Sequence, residues 1–563
     1  MPTVSAHVAV TLAAHVDHVF GVMGNGNAYV LDTLERRTSA RFTPVRHEAG
    51  AVVAADAFHR ASGRLAAATT TYGAGFTNTL TALAEAVQAH VPLVLVVGDE
   101  PTSGPRPWDV DQIAMASAVG ARTYTVGRAD AAATTVIAVE HALTYRVPTV
   151  LAIPYDVATL EVGPVPETPS PRLPEPLVPR GPFADGVVRE IAAALATARR
   201  PLLLAGRGAW VADAGKVLGE LADATGALTV TSALGRGVFP RPEFDLGVAG
   251  GFGAAGAMAL VREADVAVVL GASLNQFTMR FGELFSPGTR VFQVDVAPAA
   301  THPHVGGYVR GDVAAVAEAV LRELTALGDG PAPLGQHGAP RADATPWRET
   351  VDVASARRHE PGDGVAPDGR LDPRSAAARI AELLPEDRVV VSDGGHFLGW
   401  SNMYWPVASP DRTVMVGTAF QAIGLGFPSV VGAAMARPDA TVVLTTGDGG
   451  GLMALSDLES AVRVAGGRGL AVVWNDGAYG AEVHHYGRKG LAREPMLIPD
   501  VDFAGVARAL GADGVVVRTV EDLDVLATWA ARPAARRPFL LLDLRVSATV
   551  VAPFYEEIAR VSA

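Results

Sequence analysis

The sequence predicts an α/β protein of three consecutive Rossmann-like domains, each with a parallel six-stranded-type sheet flanked by helices. Short apolar runs rich in β-branched residues alternate with longer Ala-rich segments of helical pattern, which is typical of buried parallel strands joined by helices. Two stretches rich in Pro and Gly, 163–182 and 329–369, interrupt this alternation and are predicted linkers. A chain of 563 residues is also too long for one hydrophobic core.

The linkers leave three predicted domains, at 1–162, 183–328 and 370–563. Predicted strands of the first are LVLVVGD and TVLAIPYD, and those of the second are PLLLAGRG, DVAVVLGAS and RVFQVDV. The third contains RVVVSDGG, TVVLTTGDGG, LAVVWNDG and FLLLDLRV. Several of these strands end in Gly-rich polar turns. Because ligands of such sheets bind beyond the carboxyl ends of the strands, these turns are candidate sites.

Composition excludes several classes of function. The 46 Lys and Arg residues stand against 59 Asp and Glu, a net charge of −13, and no basic stretch is present to bind nucleic acid or an anionic membrane. The absence of cysteine excludes disulfides, thiolate nucleophiles and Cys-ligated zinc. The N-terminal stretch lacks the basic region of a signal peptide, and no apolar run reaches roughly 18 residues. We therefore expect a cytoplasmic protein.

The third segment contains a candidate site for a cation and a diphosphate. TVVLTTGDGG is a predicted strand that ends at Gly447, Asp448, Gly449 and Gly450, with a helical pattern from about Ala454. Glycines allow the backbone to approach a diphosphate, and N–H groups at a helix start bind anionic oxygens. The carboxylate of Asp448 is a hard ligand for a cation.

A second strand supplies two further oxygen ligands. LAVVWNDGAYG ends at Asn475, whose side chain offers an amide oxygen, and the chain then turns at Gly477, whose carbonyl is a third candidate. Mg²⁺ favours such ligands together with phosphate oxygens. A GDG tripeptide alone equally fits an ordinary turn, but the order strand, GDG, helix, strand, Asn is a specific signal.

This arrangement resembles the thiamine-diphosphate signature of the superfamily that includes acetolactate synthase, benzoylformate decarboxylase and benzaldehyde lyase. The resemblance implies thiamine diphosphate and Mg²⁺ as cofactors. It places Mg²⁺ on Asp448, Asn475 and the Gly477 carbonyl, and the diphosphate beside Gly447, Gly449 and Gly450. Asp476 stands where the family usually has a second Asn.

The first segment resembles the part of the family that holds the aminopyrimidine. In RHEAGAVVAADAFHRASG, Glu48 ends a short strand and opens a helix, a position that the helix dipole alone also favours for a carboxylate. The resemblance makes Glu48 the catalytic residue that bonds the pyrimidine ring and activates the cofactor. TTTYGAGFTN matches the GPG-x-x-N element through Gly73, Gly75 and Asn78, and its Gly-Ala-Gly is closer to benzaldehyde lyase.

Two further loops of the third segment resemble family elements. In VGTAFQAIGLGFPSVVGAAMA, Ile423 takes the place of the apolar residue that props the cofactor in its bent form, and the Gln421 carbonyl would bond the amino group. VVVSDGGHFLGW places Asp393, Gly394 and His396 at a strand end that the family uses near the diphosphate and the substrate.

The predicted substrate pocket departs from the best-known members. Asn25 stands where benzoylformate decarboxylase has Ser and acetolactate synthase has Gly. Trp108 stands near the Gln of acetolactate synthases, where it stacks on a substrate or simply closes the pocket. Ala481, His484 and His485 replace Met, Gln and Trp of those enzymes; the two histidines are either a solvated pair or groups that move protons at neutral pH.

The resemblance implies an enzyme that acts on a 2-oxo acid by decarboxylation or by acyloin-type carboligation to an aldehyde or ketone. Alternatives are an acyloin lyase like benzaldehyde lyase and a non-catalytic cofactor-binding subunit. A dinucleotide-dependent oxidoreductase is disfavoured, because this sequence lacks the G-x-G-x-x-G fingerprint of that class. FAD is in question, because Ser273 replaces an Arg of the flavin-binding acetolactate synthases. The family implies a homodimer or homotetramer with active sites at the subunit interface.

Overall fold

The computed structural model describes residues 1–329 and 345–561, so 330–344 of the second predicted linker lie outside the described residues. The described residues form three sheets of six strands, in which all neighbouring strands are parallel. This confirms the predicted fold class. The exact domain boundaries remain a prediction. By contacts the chain divides into two compact units: Met1–Pro174 with Asp363–Leu398 and Asp411–Val550, and Glu175–Gly362 with Gly399–Pro410 and Val551–Ala563.

The first sheet has the strand order β2-β1-β3-β4-β6-β5. Its strands are β1 (His18–Gly21), β2 (Arg41–Pro44), β3 (Ala67–Thr70), β4 (Leu93–Asp99), β5 (Arg122–Thr125) and β6 (Pro148–Pro154). The helices of this segment are α1 (Val4–Ala13), α2 (Ala28–Arg37), α3 (Glu48–Ser62), α4 (Ala74–Thr77), α5 (Leu80–Gln88), α6 (Gln112–Ala118) and α7 (Ala131–Tyr145). Strands β3, β4 and β6 are buried throughout, as expected for a sheet covered on both faces.

The second sheet has the order β12-β11-β10-β7-β8-β9. Its strands are β7 (Pro201–Ala205), β8 (Leu228–Thr231), β9 (Asp245–Val248), β10 (Val266–Leu270), β11 (Arg290–Asp295) and β12 (Val305–Arg310). The helices are α8 (Pro182–Thr197), α9 (Arg207–Val211), α10 (Gly215–Thr225), α11 (Ala255–Glu263), α12 (Val313–Asp329) and α13 (Val353–Ala356).

The third sheet has the order β14-β13-β15-β16-β18-β17. Its strands are β13 (Val389–Ser392), β14 (Thr413–Val414), β15 (Val442–Gly447), β16 (Gly469–Trp474), β17 (Asp513–Val517) and β18 (Leu540–Leu544). The helices from here to the end of the described chain are α14 (Pro373–Leu383), α15 (Leu398–Tyr404), α16 (Gly426–Ala436), α17 (Asp448–Met453), α18 (Leu455–Ala465), α19 (Gly480–His485), α20 (Phe503–Ala509), α21 (Asp524–Ala530) and α22 (Pro553–Val561). No described helix is long and apolar enough to cross a membrane.

One short helix is present that the sequence does not predict. The helical pattern predicted from about Ala454 is α18, which begins at Leu455, but a further helix, α17, begins at Asp448, directly after β15. Glycine disfavours helix, yet here the small residues are required by packing. A methyl group built on Gly450 would lie 2.6 Å from Asp393 Oδ2, and one on Gly449 would lie 2.6 Å from the ring of Tyr479. Tertiary contacts therefore override the local propensity.

Helices α3 and α16 pack closely within the first compact unit. A methyl group on Gly432 of α16 would lie 2.0 Å from the Ala54 carbonyl oxygen of α3. At the other end of α3, a methyl group on Gly50 would lie 2.2 Å from the carboxylate of Asp457. This contact fixes the helix that begins at Glu48 against the third segment of the same chain.

Candidate functional site

Asp448 and Gly477 lie together at the carboxyl ends of β15 and β16. Asp448 Oδ2 accepts the Gly477 N–H at 2.9 Å, and Oδ1 accepts the Gly449 N–H at 2.9 Å. Gly477 has a φ of 76°, which a residue with a side chain rarely adopts. Its carbonyl accepts the N–H of Ile498 at 2.8 Å and keeps a second lone pair for another partner.

The side chain of Asn475 is fixed by its amide nitrogen. Nδ2 donates to Asp543 Oδ1 at 2.9 Å and to the Val501 carbonyl at 3.2 Å, while Oδ1 accepts no hydrogen bond from a described residue. Asp543 is fully buried in β18, and burial raises its pKa to about 6. Arg545 pairs with it at 2.8 Å. This support orients Asn475 with its oxygen available as a ligand.

Two neighbouring carboxyl groups, those of Asp448 and Asp476, give this strand end an acidic character. Burial raises the pKa of Asp448 to about 6, and burial together with the charge of Asp448 raises the pKa of Asp476 to about 7. Buried like charges are costly without compensation. A carboxylate, an amide oxygen and a carbonyl are the hard donors that Mg²⁺ accepts, so the residues present fit this metal.

Asp393 joins the loops around the predicted diphosphate position. Its carboxylate, 0% exposed, accepts the hydroxyl of Thr446 at 3.0 Å. Burial raises its pKa, against the effect of these hydrogen bonds. Its Oδ1 also accepts three backbone N–H groups, those of Gly394 at 2.8 Å, Gly424 at 3.0 Å and Leu425 at 3.3 Å. Asp393, predicted to bind the cofactor, thus holds its own loop and the loop of Gly424 and Leu425 together.

The predicted wedge lies in one of these loops. Gln421 has a φ of 59°, a strained conformation for a residue other than glycine, and one that is concentrated at functional sites. A methyl group on Gly394 would lie 3.0 Å from Ile423 Cγ2, and one on Gly424 would lie 2.6 Å from Met453 Cβ. Ile423 is therefore held next to the Asp393 loop.

His396 and His484 form a buried pair. Their ring centroids are 4.5 Å apart, and each residue is 7% exposed, so the solvated alternative is wrong for His484. Burial, followed by the charges of His484 and Arg488, lowers the pKa of His396 to about 3. Because of this low pKa, His396 is neutral at neutral pH. His484 lies on helix α19, where Ala481 and His485 are partly buried.

The residues predicted for the aminopyrimidine converge around Glu48. It is the first residue of α3, with His47 as the N-cap, and not the last residue of a strand. Glu48 Oε2 accepts a hydrogen bond from Asn78 Nδ2 at 3.0 Å, and a methyl group on Gly75 would lie 3.4 Å from Glu48 Oε1. The carboxylate is partly buried and held in one orientation by Asn78.

Trp108 and Asn25 lie beside this group. Gly73 has a φ of 59°, and a methyl group on it would lie 3.0 Å from the Trp108 carbonyl oxygen. The Trp108 side chain is exposed at 60%, which leaves both of its predicted roles open. Asn25 Nδ2 donates to the Tyr72 hydroxyl at 3.0 Å, and both residues line a cavity of about 170 Å³.

The site residues form two groups, one around Glu48 and one around Asp448. Within the described residues, no hydrogen bond or ion pair joins Glu48 to the second group; its bonding partner is Asn78. Sequence reasoning missed Asp543, although an acidic residue inside the apolar run FLLLDLRV was a usable signal. It also missed the hydrogen bonds by which Asp393 holds the loop of Ile423, because the spacing of residues in the sequence does not indicate such a contact.

Comparison with known proteins identifies the class to which this fold and site belong. Three family models match in order: the N-terminal TPP binding domain of thiamine pyrophosphate enzymes over residues 2–118, the central domain over 188–324 and the C-terminal TPP binding domain over 393–542. The chain belongs to the thiamine-diphosphate-dependent enzyme superfamily.

Among individual relatives, two activities recur. The chain is 29% identical to a sulfoacetaldehyde acetyltransferase of Castellaniella defragrans over 92% of this chain and 88% of the relative. It is 29% identical to an acetolactate synthase of Mycobacterium avium over 93% and 84%. It is also 29% identical to a sulfoacetaldehyde acetyltransferase of Rhodobacter capsulatus over 98% and 96%.

Proposed function

We propose that this protein is a thiamine-diphosphate- and Mg²⁺-dependent enzyme that breaks or forms a carbon–carbon bond next to a carbonyl, with a 2-oxo acid as donor. The observation that carries the proposal is the convergence of Asp448, Asn475 and Gly477, three hard oxygen donors, beside a second buried carboxyl group. Decarboxylation and acyloin-type carboligation both belong to this chemistry. When bound, the cofactor supplies an electron sink for the carbonyl carbon of the donor.

In this proposal Mg²⁺ is held by the Asp448 carboxylate, Asn475 Oδ1 and the Gly477 carbonyl. Gly447, Gly449 and Gly450 would permit close approach of the diphosphate, and N–H groups at the start of α17, other than that of Gly449, which donates to Asp448, would be donors to its oxygens. Packing also requires these glycines, because a side chain at Gly449 would collide with Tyr479 and one at Gly450 would collide with Asp393. Asp543 acts through Asn475 by keeping its amide oxygen turned away from the Val501 carbonyl.

Glu48 is the proposed catalytic residue, which would bond the pyrimidine ring nitrogen and exchange a proton there. The hydrogen bond from Asn78 orients the carboxylate for this exchange. Ile423 and the Gln421 carbonyl would hold the bent cofactor. His396 and His484, with Asn25, Trp108, Ala481 and His485, are the proposed substrate-pocket residues.

Because no hydrogen bond or ion pair joins Glu48 to the Asp448 group among the residues that the structure describes, we propose that each active site combines two subunits. A homodimer is the smallest assembly that could form such sites, and a homotetramer would contain two such dimers. A donor of an acetyl unit is favoured by the two activities named among the relatives. A benzaldehyde-lyase-like acyloin cleavage is the second candidate, supported by the Gly-Ala-Gly at 73–75.

A substrate panel tests the proposed reaction. The purified protein with Mg²⁺ and thiamine diphosphate is incubated with 2-oxo acids, each with and without an aldehyde or ketone, and with acyloins, and the products are read by mass spectrometry. Release of CO₂ with a new acyloin or aldehyde supports the 2-oxo acid reaction, and cleavage of acyloins alone supports the second candidate. No turnover of any member by a protein that binds the cofactor would contradict both and favour a non-catalytic subunit.

A further inference from the structure

The loop that follows β14 is held by hydrogen bonds on both sides of Gln421. Gln421 is exposed and has a φ of 59°, so burial of its own side chain does not stabilise this strained conformation. On one side, the Ala422 N–H donates to the Gly417 carbonyl at 2.9 Å. On the other side, the Phe420 N–H donates to Glu85 Oε2 at 2.7 Å. Because a strained residue persists only where its surroundings fix it, these two bonds are the anchors of the Gln421 backbone.

Glu85 brings a buried carboxylate from the first segment to this loop. It lies on α5 and is 0% exposed. Its other oxygen, Oε1, accepts a hydrogen bond from Arg60 Nη2 at 3.0 Å. Arg60 lies on α3, is itself buried, and donates through Nη1 to the Met415 carbonyl at 2.9 Å. Helices α3 and α5 therefore bond to the loop at its beginning and directly before Gln421.

The charge of Arg60 does not by itself require Glu85. Asp56, four residues earlier on the same helix, accepts hydrogen bonds from both Nε and Nη2 of Arg60 and is also buried. Glu85 is therefore a second carboxylate for one guanidinium, and burying a further charge is costly unless it gains good hydrogen bonds. The bond that Glu85 gains beyond Arg60 is the one from the Phe420 N–H. This contact indicates that the carboxylate serves the loop.

We propose that Glu85 is a positioning residue for the cofactor. Through the Phe420 N–H it keeps Gln421 in the left-handed conformation, so that the Gln421 carbonyl and Ile423 stay where they would hold the bent cofactor. Arg60 assists by holding the Glu85 carboxylate and the start of the loop. The role in cofactor binding rests on the proposed function, whereas the anchoring of the loop rests on these bonds alone.

Hydrogen exchange in the full-length protein without cofactor, read by mass spectrometry, tests the anchor. In Glu85→Gln the single amide oxygen is expected to face Arg60, because a charge-assisted bond is the stronger one, and the amide nitrogen then faces the Phe420 N–H, donor against donor. Exchange in residues 415–423 should become about tenfold faster. Glu85→Met, which removes the acceptor at nearly the same volume and leaves Arg60 with Asp56, should have the same effect.

Asp56→Asn is the matched control, because it makes the same change of charge in the same network and removes no bond to the loop. It should lower the melting temperature, which also verifies that each variant is folded, without faster exchange in residues 415–423. Unchanged exchange there in both Glu85 variants would overturn the proposal. An equal increase in Asp56→Asn would also overturn it, because Glu85 would then have only a general packing role.

Calorimetric titration of thiamine diphosphate with Mg²⁺ tests the consequence for the cofactor. Glu85→Gln should weaken binding about tenfold, and the loss should be smaller in the Gln421→Gly background, because glycine adopts a positive φ without strain. No loss, or an equal loss in both backgrounds, would overturn the positioning role. If the wild type binds no thiamine diphosphate, the proposed function fails, whereas the exchange experiment still decides whether Glu85 fixes the loop.

Discussion

Replacing Asp476 by Asn should remove a pH dependence that the paired carboxyl groups impose on the metal-free protein. Burial and the charge of Asp448 raise the pKa of Asp476 from 3.8 to about 7. Because the folded state holds this proton more tightly than the unfolded chain does, stability is greatest below pH 3.8 for this group and falls as the pH rises through about 7. Stability at pH 8 is therefore lowered relative to acid conditions.

The size of the effect follows from the shift. A difference of about 3 units corresponds to ~4 kcal/mol at most, and partial solvation of the strand end reduces this to about 1–3 kcal/mol. In Asp476→Asn the amide replaces the carboxylate at nearly the same volume, so packing is preserved while the charge is removed. We expect the metal-free variant to be more stable than the wild type at pH 8 by this amount, and the two proteins to converge at pH 4.

Urea unfolding of both proteins at pH 4, 6 and 8 in a chelating buffer measures the difference directly. Asp513→Asn is the matched control, because Asp513 is exposed at the start of β17 and its replacement should not alter the pH dependence. Parallel pH profiles of wild type and Asp476→Asn would refute the raised pKa of Asp476 that burial and the charge of Asp448 produce. Mg²⁺ should reduce the difference, since a bound cation compensates the same charges.

Three other substitutions test other parts of the structure. Glu48→Gln should slow hydrogen exchange at C2 of the bound cofactor by about 10²-fold or more, measured by NMR, and an unchanged rate would remove its proposed role. Asp393→Ala leaves three N–H groups, two partly buried and one buried, without an acceptor and should cost roughly 3 kcal/mol or more of unfolding free energy, measured in urea, with Asp513→Asn as the neutral reference. Gly432→Ala should cost about 1–3 kcal/mol because its methyl group overlaps Ala54 of α3, whereas Gly490→Ala, at a position with open space around it, should show only the strain of its φ of 84°.

The buried strands were predictable because both faces of these sheets are covered. Continuous apolar runs such as those of β4, β15 and β18 have few alternative structures. Short strands such as Arg41–Pro44, whose burial is mixed, give a weaker signal, and the strand that was predicted to end at Glu48 ends at Pro44 instead. The short helix α17 was not predicted because glycine disfavours helix, and its small residues are required by contacts with Asp393 and Tyr479.

The candidate site was predictable as a set of residue types and much less as a geometry. The oxygen donors at 448, 475 and 477 follow from strand ends and spacing, and Asn78 follows from its place in a recognised element. The anchoring roles of Asp393 and Asp543 come from contacts between segments distant in sequence, which no local pattern encodes. The burial of His484 likewise depends on the loop of His396, so the sequence left two alternatives for it.

Calorimetric titration of thiamine diphosphate into the purified protein, with Mg²⁺ and with a chelator, tests the proposed cofactor site most directly. We predict saturable binding that requires Mg²⁺ in the wild type and is lost in Asp448→Asn, which removes a charged metal ligand while preserving the shape of the strand end. Asp513→Asn should bind like the wild type. Absence of binding in the presence of Mg²⁺, or equal binding with the chelator, would contradict the assignment of Asp448, Asn475 and Gly477 to a magnesium–diphosphate site.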